Sequence, residues 1–229
     1  MKEQIRKHTN IERTLKRKIV EIEEVVKSNE TDSVKIGLIR GILGKITDKF
    51  LDIHQRALTD ELTGFVNRWF LSEFLRKVMK SSIRYGHSLT LAIIDLDFFK
   101  QVNDNFGHAA GDAVLKGIAE IIKDNIRSSD VVSRYGGDEF IIVFSSTKIA
   151  DAKIVMERMK TVVAEHDFGG GVRSGISYGL AELKGKHRMA EDLIKDADDA
   201  LYKSKKHRID PNAGVKKSRL KKVISRRKK

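Results

Sequence analysis

The stretch RYGGDEFIIVF, residues 134–144, constrains this chain more than any other. Phe140, Ile141, Ile142, Val143 and Phe144 make an uninterrupted apolar run of strand length, and residues 131–135 read as a second strand just before it. Gly136 and Gly137 between them predict a tight glycine turn, and so a β-hairpin. Such a hairpin is stable only as part of a larger sheet. Neither a turn nor a buried strand explains the adjacent acids Asp138 and Glu139 at the junction.

The flanking pattern supplies the sheet. A helix is expected over 68–85, a strand over 88–95, and a helix over about 110–126. After the hairpin come a helix over 150–165, a strand over 173–181 and a last helix over 190–206. The order is βαββαβ with additions. The expected class is therefore α/β (α+β), a ferredoxin-like or palm-like mixed sheet with flanking helices, mainly on one face. This domain spans 59–209, and the only proline, Pro211, marks its end.

Residues 1–58 carry helical periodicity instead. Leu15, Ile19, Ile22 and Val26 precede a polar break at Ser28–Asp32, where Thr31 or Asp32 is the expected N-cap. Beyond it Ile36, Ile39, Leu43, Ile46, Phe50, Ile53 and Ala57 step by threes and fours, as a coiled-coil seam requires. The seam predicts a homodimer through this helix, with an intramolecular helical hairpin as the alternative. Gly37, Gly41 and Gly44 each weaken it by about 1 kcal/mol relative to alanine.

Net charge is +13, but residues 203–229 hold thirteen Lys or Arg against the single acid Asp210. The folded body is thus nearly neutral, and residues 210–229 read as a basic, disordered tail. A tail of that charge could contact nucleic acid or an anionic membrane, but it lacks the aromatic residues that stack on bases. No apolar stretch is long enough to span a bilayer, no secretory signal is present and there is no cysteine. These features fit a soluble, cytoplasmic protein.

The strand LTLAIIDLDFFK is apolar until Asp95 and Asp97. If it lies beside the hairpin, Asp95 and Asp138 converge. Converging carboxylates repel unless a cation sits between them, and an oxygen-only site suits Mg²⁺ or Mn²⁺. Mg²⁺ takes further ligands from substrate phosphates. Gly136 and Gly137 would let a phosphorylated ligand approach the backbone. The plainer reading, solvated acids at strand ends, stays open for each residue alone.

Five segments in order resemble the GGDEF-domain diguanylate cyclase family: DELTGFVNR at 60–68, DLDFFKQVNDNFGHAAGD at 95–112, GGDEF at 136–140, SYGLA at 177–181 and ADDALYKSKK at 197–206. The resemblance implies condensation of two GTP into cyclic di-GMP with release of two pyrophosphates, across two facing domains. It implies that Asp95, the Leu96 carbonyl and Asp138 hold the metal, with Asp138 also helping to deprotonate the attacking 3′-hydroxyl and Glu139 beside it. Asn103 and Asp112 correspond to the guanine-reading positions. Lys100 and His108 correspond to substrate contacts, and Lys205 to a phosphate-contacting lysine. Arg127 and Asp130 match an R-x-x-D inhibitory product site, to which Arg158 would add a second arginine. One departure is clear: the family ends A-K-x-x-G-R-N, whereas here Ile209 holds the arginine position and Arg208 lies one residue early.

Overall fold

The computed structural model describes residues 17–28 and 31–207, without side-chain placement at 48–57 and 207. The chain divides into two compact units, Met1–Ala57 and Leu58–Lys229. Leu15, the side chains of Phe50, Ile53 and Ala57, and Arg208, Ile209, Pro211 and the basic tail lie outside the described residues.

In the first unit, α1 covers 17–27 and α2 covers Asp32–Leu58. Lys35 N–H donates to the Thr31 carbonyl at 3.0 Å, so Thr31 opens α2. Among the described side chains of α2, burial within the single chain falls beside the expected seam. Ile42 is only 7% exposed, whereas Ile36 and Leu43 are 60% and 50% exposed. Ile39 and Ile46 are half-buried. Burial on α2 thus centres on Ile39, Ile42 and Ile46, leaving Ile36 and Leu43 outward.

The second unit is a five-stranded mixed sheet in the order β1-β3-β4-β2-β5. Its strands are β1 (Val66–Asn67), β2 (Leu89–Asp97), β3 (Val131–Arg134), β4 (Glu139–Ser145) and β5 (Gly175–Glu182). β1 runs parallel to β3, and all other pairs are antiparallel. Helices α3 (Arg68–Tyr85), α4 (Phe99–Phe106), α5 (His108–Asn125), α6 (Ile149–Glu165) and α7 (Ala190–Ser204) complete the unit, followed by a short 3₁₀ turn at Lys205–His207.

Alternation along β2 and β4 explains why their apolar runs are continuous. Ala92, Ile94, Leu96, Phe140, Ile142 and Phe144 pack with residues of α4, α5 and α6. Leu89, Leu91, Ile93, Ile141 and Val143 pack instead with residues of α3 and α7. Helices therefore cover both faces of the sheet, which corrects the expectation of one main face. All nine residues of β2 are buried. Burying a Leu or Ile side chain contributes roughly 1.5–3 kcal/mol, so this central strand anchors both layers.

Two elements were not expected. The first is β1, only two residues long. The second is α4, entered through Phe98 in the left-handed region at φ 57°. α3 follows its local signals closely. The Asn67 side chain caps it by accepting from Phe70 N–H, and Gly86 closes it at φ 71°.

Candidate active site

Register places the acids. Asp95 lies opposite Glu139 on one side and Ser177 on the other. Both acids continue the series that faces α3 and α7, but beyond its last apolar residue. Asp95 is 7% exposed, and its Oδ2 accepts a hydrogen bond from Lys205 Nζ at 2.8 Å. Asp138 is fixed through its backbone, because its carbonyl accepts from Leu96 N–H at 3.2 Å. Asp97, also buried, accepts from Ser177 Oγ at 2.7 Å.

The electrostatics show that these groups sense one another. Burial, and after it the charge on Asp95, holds the Asp138 carboxyl above its ordinary value. Burial, then Asp95, then Asp138 raises Glu139 as well. Lys205 opposes both shifts. Asp95, Asp138 and Glu139 thus lie within one another's field, and Lys205, with Arg134 at Asp138, favours the charged forms of Asp138 and Glu139. Among the described residues, no three His, Cys, Asp or Glu side chains are grouped so as to hold a metal unaided. A donor set of one or two carboxylates suits a hard divalent cation that draws its remaining ligands from water and phosphate.

The hairpin connection differs from the expected turn. Its strands are separated by four residues, Tyr135–Asp138, and neither glycine takes a positive φ. Tyr135 and Gly136 N–H groups both donate to the Glu139 carbonyl, at 2.8 and 3.2 Å. Neither glycine is there for dihedral freedom, and only Gly136 is short of space. A Cβ on Gly136 would lie 2.8 Å from Glu139 Oε2, whereas one on Gly137 would meet nothing within 4 Å. Gly137 leaves an open face beside the acids.

Arg134 is the site residue that sequence reading missed. Its Nη1 lies 3.3 and 3.1 Å from the two carboxylate oxygens of Asp60. Its Nε and Nη2 donate to the Gly137 carbonyl at 3.2 and 2.7 Å. One guanidinium thus ties the connection preceding Asp138 to the DELTGF turn. That turn is itself closed by Asp60 Oδ1, which accepts from Thr63 N–H and Oγ1 at 2.9 and 2.7 Å. No local signal marks this pair, since its partners are 74 residues apart.

The remaining predicted residues fall in two places. Lys100 lies in the first turn of α4 and His108 opens α5, both exposed. Asn103 on α4 is half-buried, and Asp112 on α5 is exposed. Gly107 joins the two helices at φ 86° and donates to the Asn103 carbonyl at 2.8 Å. Elsewhere, Arg127, Asp130 and Arg158 line one cavity of about 340 Å³ with Asn125, Phe144 and Thr147. Asp130 already accepts from Arg127 N–H at 3.0 Å and Ser145 N–H at 3.3 Å. Arg158 donates to the Asn125 side chain and carbonyl at 2.9 and 3.0 Å.

A mixed sheet flanked by helices, with carboxylates gathered at one strand end beside a lysine, places the second unit in the α/β (α+β) class. Residues 57–210 match the family described as diguanylate cyclase, GGDEF domain. The chain is 38% identical over 158 residues to diguanylate cyclase DgcP of Pseudomonas aeruginosa, covering 68% of this chain and 23% of that protein. It is 36% identical over 156 residues to the response regulator PleD of Caulobacter vibrioides, covering 65% and 34% respectively. The chain thus spans well under half the length of these relatives. Among solved structures, the coiled coil and GGDEF domain of DgcB from Caulobacter crescentus, in complex with c-di-GMP, superposes with a TM-score of 0.71 at 25% identity. That match covers 77% of this chain and 95% of that one. The chain belongs to the GGDEF-domain diguanylate cyclase family.

Proposed function

We propose that this chain is a diguanylate cyclase that condenses two GTP into cyclic di-GMP and releases two pyrophosphates. The observation that carries the reading is the meeting of Asp95, Asp138 and Glu139 at one sheet end, with Lys205 bonded to Asp95. Mg²⁺, or Mn²⁺ in its place, is the proposed cofactor, held by Asp95, the Leu96 carbonyl and Asp138. When bound it would offset charge developing on the phosphate oxygens.

The chain's own groups supply the rest. Asn103 and Asp112 bind guanine, the carboxylate accepting from the N1–H and 2-amino group that adenine lacks. Lys100, His108 and Lys205 bind the triphosphate, and Gly136 and Gly137 admit it to the backbone. Lys205 must then exchange Asp95 for phosphate.

Each domain holds one GTP, so two domains must face each other for the 3′-oxygen of one nucleotide to attack the other's α-phosphorus. A homodimer through α2 would keep the half-sites together at high effective concentration. Outward Ile36 and Leu43 support that pairing. Cyclic di-GMP is the proposed inhibitor at Arg127, Asp130 and Arg158, supported by the cavity these three share. The basic tail and placement in the cytoplasm carry no part of this reading. Incubating purified protein with GTP and Mg²⁺, followed by chromatographic nucleotide analysis, tests it. Cyclic di-GMP formed by the wild type and absent with Asp138→Asn is the expected result, and failure of the wild type to form it refutes the proposal.

A further inference from the structure

Gly111 sits in the first turns of α5, where the usual reasons for glycine are missing. Its φ is not positive, and alanine is the better helix former at a helical position. What stands in the way of a side chain is Asn103. A Cβ on Gly111 would lie 2.0 Å from Asn103 Oδ1 and 3.0 Å from its Cγ, with Phe99 Cζ at 3.2 Å. The Asn103 carboxamide therefore rests on the bare Cα of Gly111, immediately before Asp112 in the chain.

The α4 backbone has little room to retreat. Val102 is 1% exposed, and the Asn103 carbonyl is held by Gly107 N–H at 2.8 Å. A methyl group at position 111 would have to be relieved by rotation of the Asn103 side chain. The carboxamide is the far end of a half-buried side chain, so its rotation should cost the fold less than a shift of the α4 backbone.

We infer that Gly111 is a positioning residue for guanine recognition, which acts by seating the Asn103 carboxamide next to Asp112 without itself touching the base. The inference rests on the proposed reading of Asn103 as a guanine contact. It makes Gly111→Ala a change that is nearly silent in stability and costly in base recognition. A site built to hydrogen-bond its substrate loses discrimination when one such group is withdrawn.

The test is calorimetric titration of the full chain, in Mg²⁺, with a GTP analogue whose α–β bridging oxygen is replaced by methylene. Inorganic triphosphate serves as the probe of the phosphate end. Gly111→Ala should weaken the guanine analogue about tenfold, the size of one net hydrogen bond, and leave triphosphate binding unchanged. Asn103→Ala should cause a similar loss. Adding Gly111→Ala to Asn103→Ala should cost nothing more, because the truncated side chain vacates the space the methyl needs. Should Gly111→Ala fail to fold, recovery of folding in the double variant supports the seat, and failure of both variants overturns it. Additive losses in the double variant, or wild-type binding by Gly111→Ala alongside weakened binding by Asn103→Ala, overturn the inference alone. Wild-type binding by Asn103→Ala removes the guanine reading and the inference with it.

Discussion

Replacing Asp138 with Asn should make the cation-free protein more stable while ending its activity. Folding takes the Asp138 carboxylate partly out of water and sets it within the field of Asp95, and both effects disfavour its charge. A carboxyl whose folded-state affinity for protons is raised contributes stability below its ordinary value of 3.8, and that contribution is lost as pH rises through the raised value. At neutral pH the ionised group is therefore a net cost. The site is half-exposed and Lys205 and Arg134 offset part of the repulsion, so the cost is only about 0.5–1 kcal/mol. For a unit of this size each kcal/mol moves Tm by roughly 2–4 °C, which predicts a gain of about 1–4 °C for Asp138→Asn in EDTA at pH 7. The gain should shrink toward zero as pH is lowered through the carboxylate range. Added Mg²⁺ should raise the wild type's Tm and leave the variant's nearly unchanged. Circular dichroism melts across pH, paired with cyclic di-GMP quantification, read all of this. An Asp138→Asn protein that melts at or below the wild type in EDTA at neutral pH would show that the carboxylate is stabilised as an anion, and the like-charge argument would be wrong.

Arg134→Met should lower stability by about 0.5–1.5 kcal/mol in urea titrations, because the Asp60 carboxylate keeps its Thr63 bonds but loses its cation, and the exposed Gly137 carbonyl turns to water. Its turnover should fall further than its stability explains, since the connection ahead of Asp138 loses its tie, whereas Asp60→Asn should show a smaller loss of turnover. Arg127→Ala should leave the initial rate unchanged and abolish slowing of progress curves by added cyclic di-GMP; a wild type that is never slowed would reduce Arg127 and Asp130 to a turn. Ile36→Asp with Leu43→Asp alters two side chains exposed in the single chain, so the fold should survive. Specific activity should then fall steeply on dilution, and sedimentation showing an unchanged dimer would rule the α2 pairing out.

The meeting of the acids was legible because β2 and β4 announce themselves as apolar runs and their acids fall where those runs stop. Once the two strands pair, Asp95 and Glu139 must meet. The same continuity of the runs held the information that both faces are covered, but composition alone does not say which helix lies on which side. Gly136 looked like a dihedral requirement, yet its φ is not positive and what a side chain there would meet is Glu139, a contact visible only once Glu139 is placed. α4 has Phe99, Val102 and Phe106 at helical spacing, yet it is eight residues long and ends at Gly107, too short for a periodic signal to stand out. Arg134 and Asp60 are partners through the parallel pairing of β1 with β3, and a two-residue strand leaves almost no trace in sequence. On α2 the seam's spacing is helical as read; within the single chain burial falls on Ile42, about 100° around the helix from Leu43, while Ile36 and Leu43 stay exposed.

Arg158 does not wait with a free guanidinium. It is bonded to the side chain and carbonyl of Asn125 at the end of α5, inside the cavity it shares with Arg127 and Asp130. Nε–H and one Nη2–H are committed to Asn125, so a ligand that needs the Nε–Nη2 edge of this guanidinium must first break bonds the chain already makes, and their energy is subtracted from the ligand's affinity. In the proposed feedback role, the Asn125 latch is therefore a set point. A stronger latch lets product accumulate further before synthesis stops, and a weaker one stops it sooner, at about tenfold in concentration for each 1.4 kcal/mol. The threshold of the circuit could thus drift through substitutions at position 125, with no change to the residues that make the product.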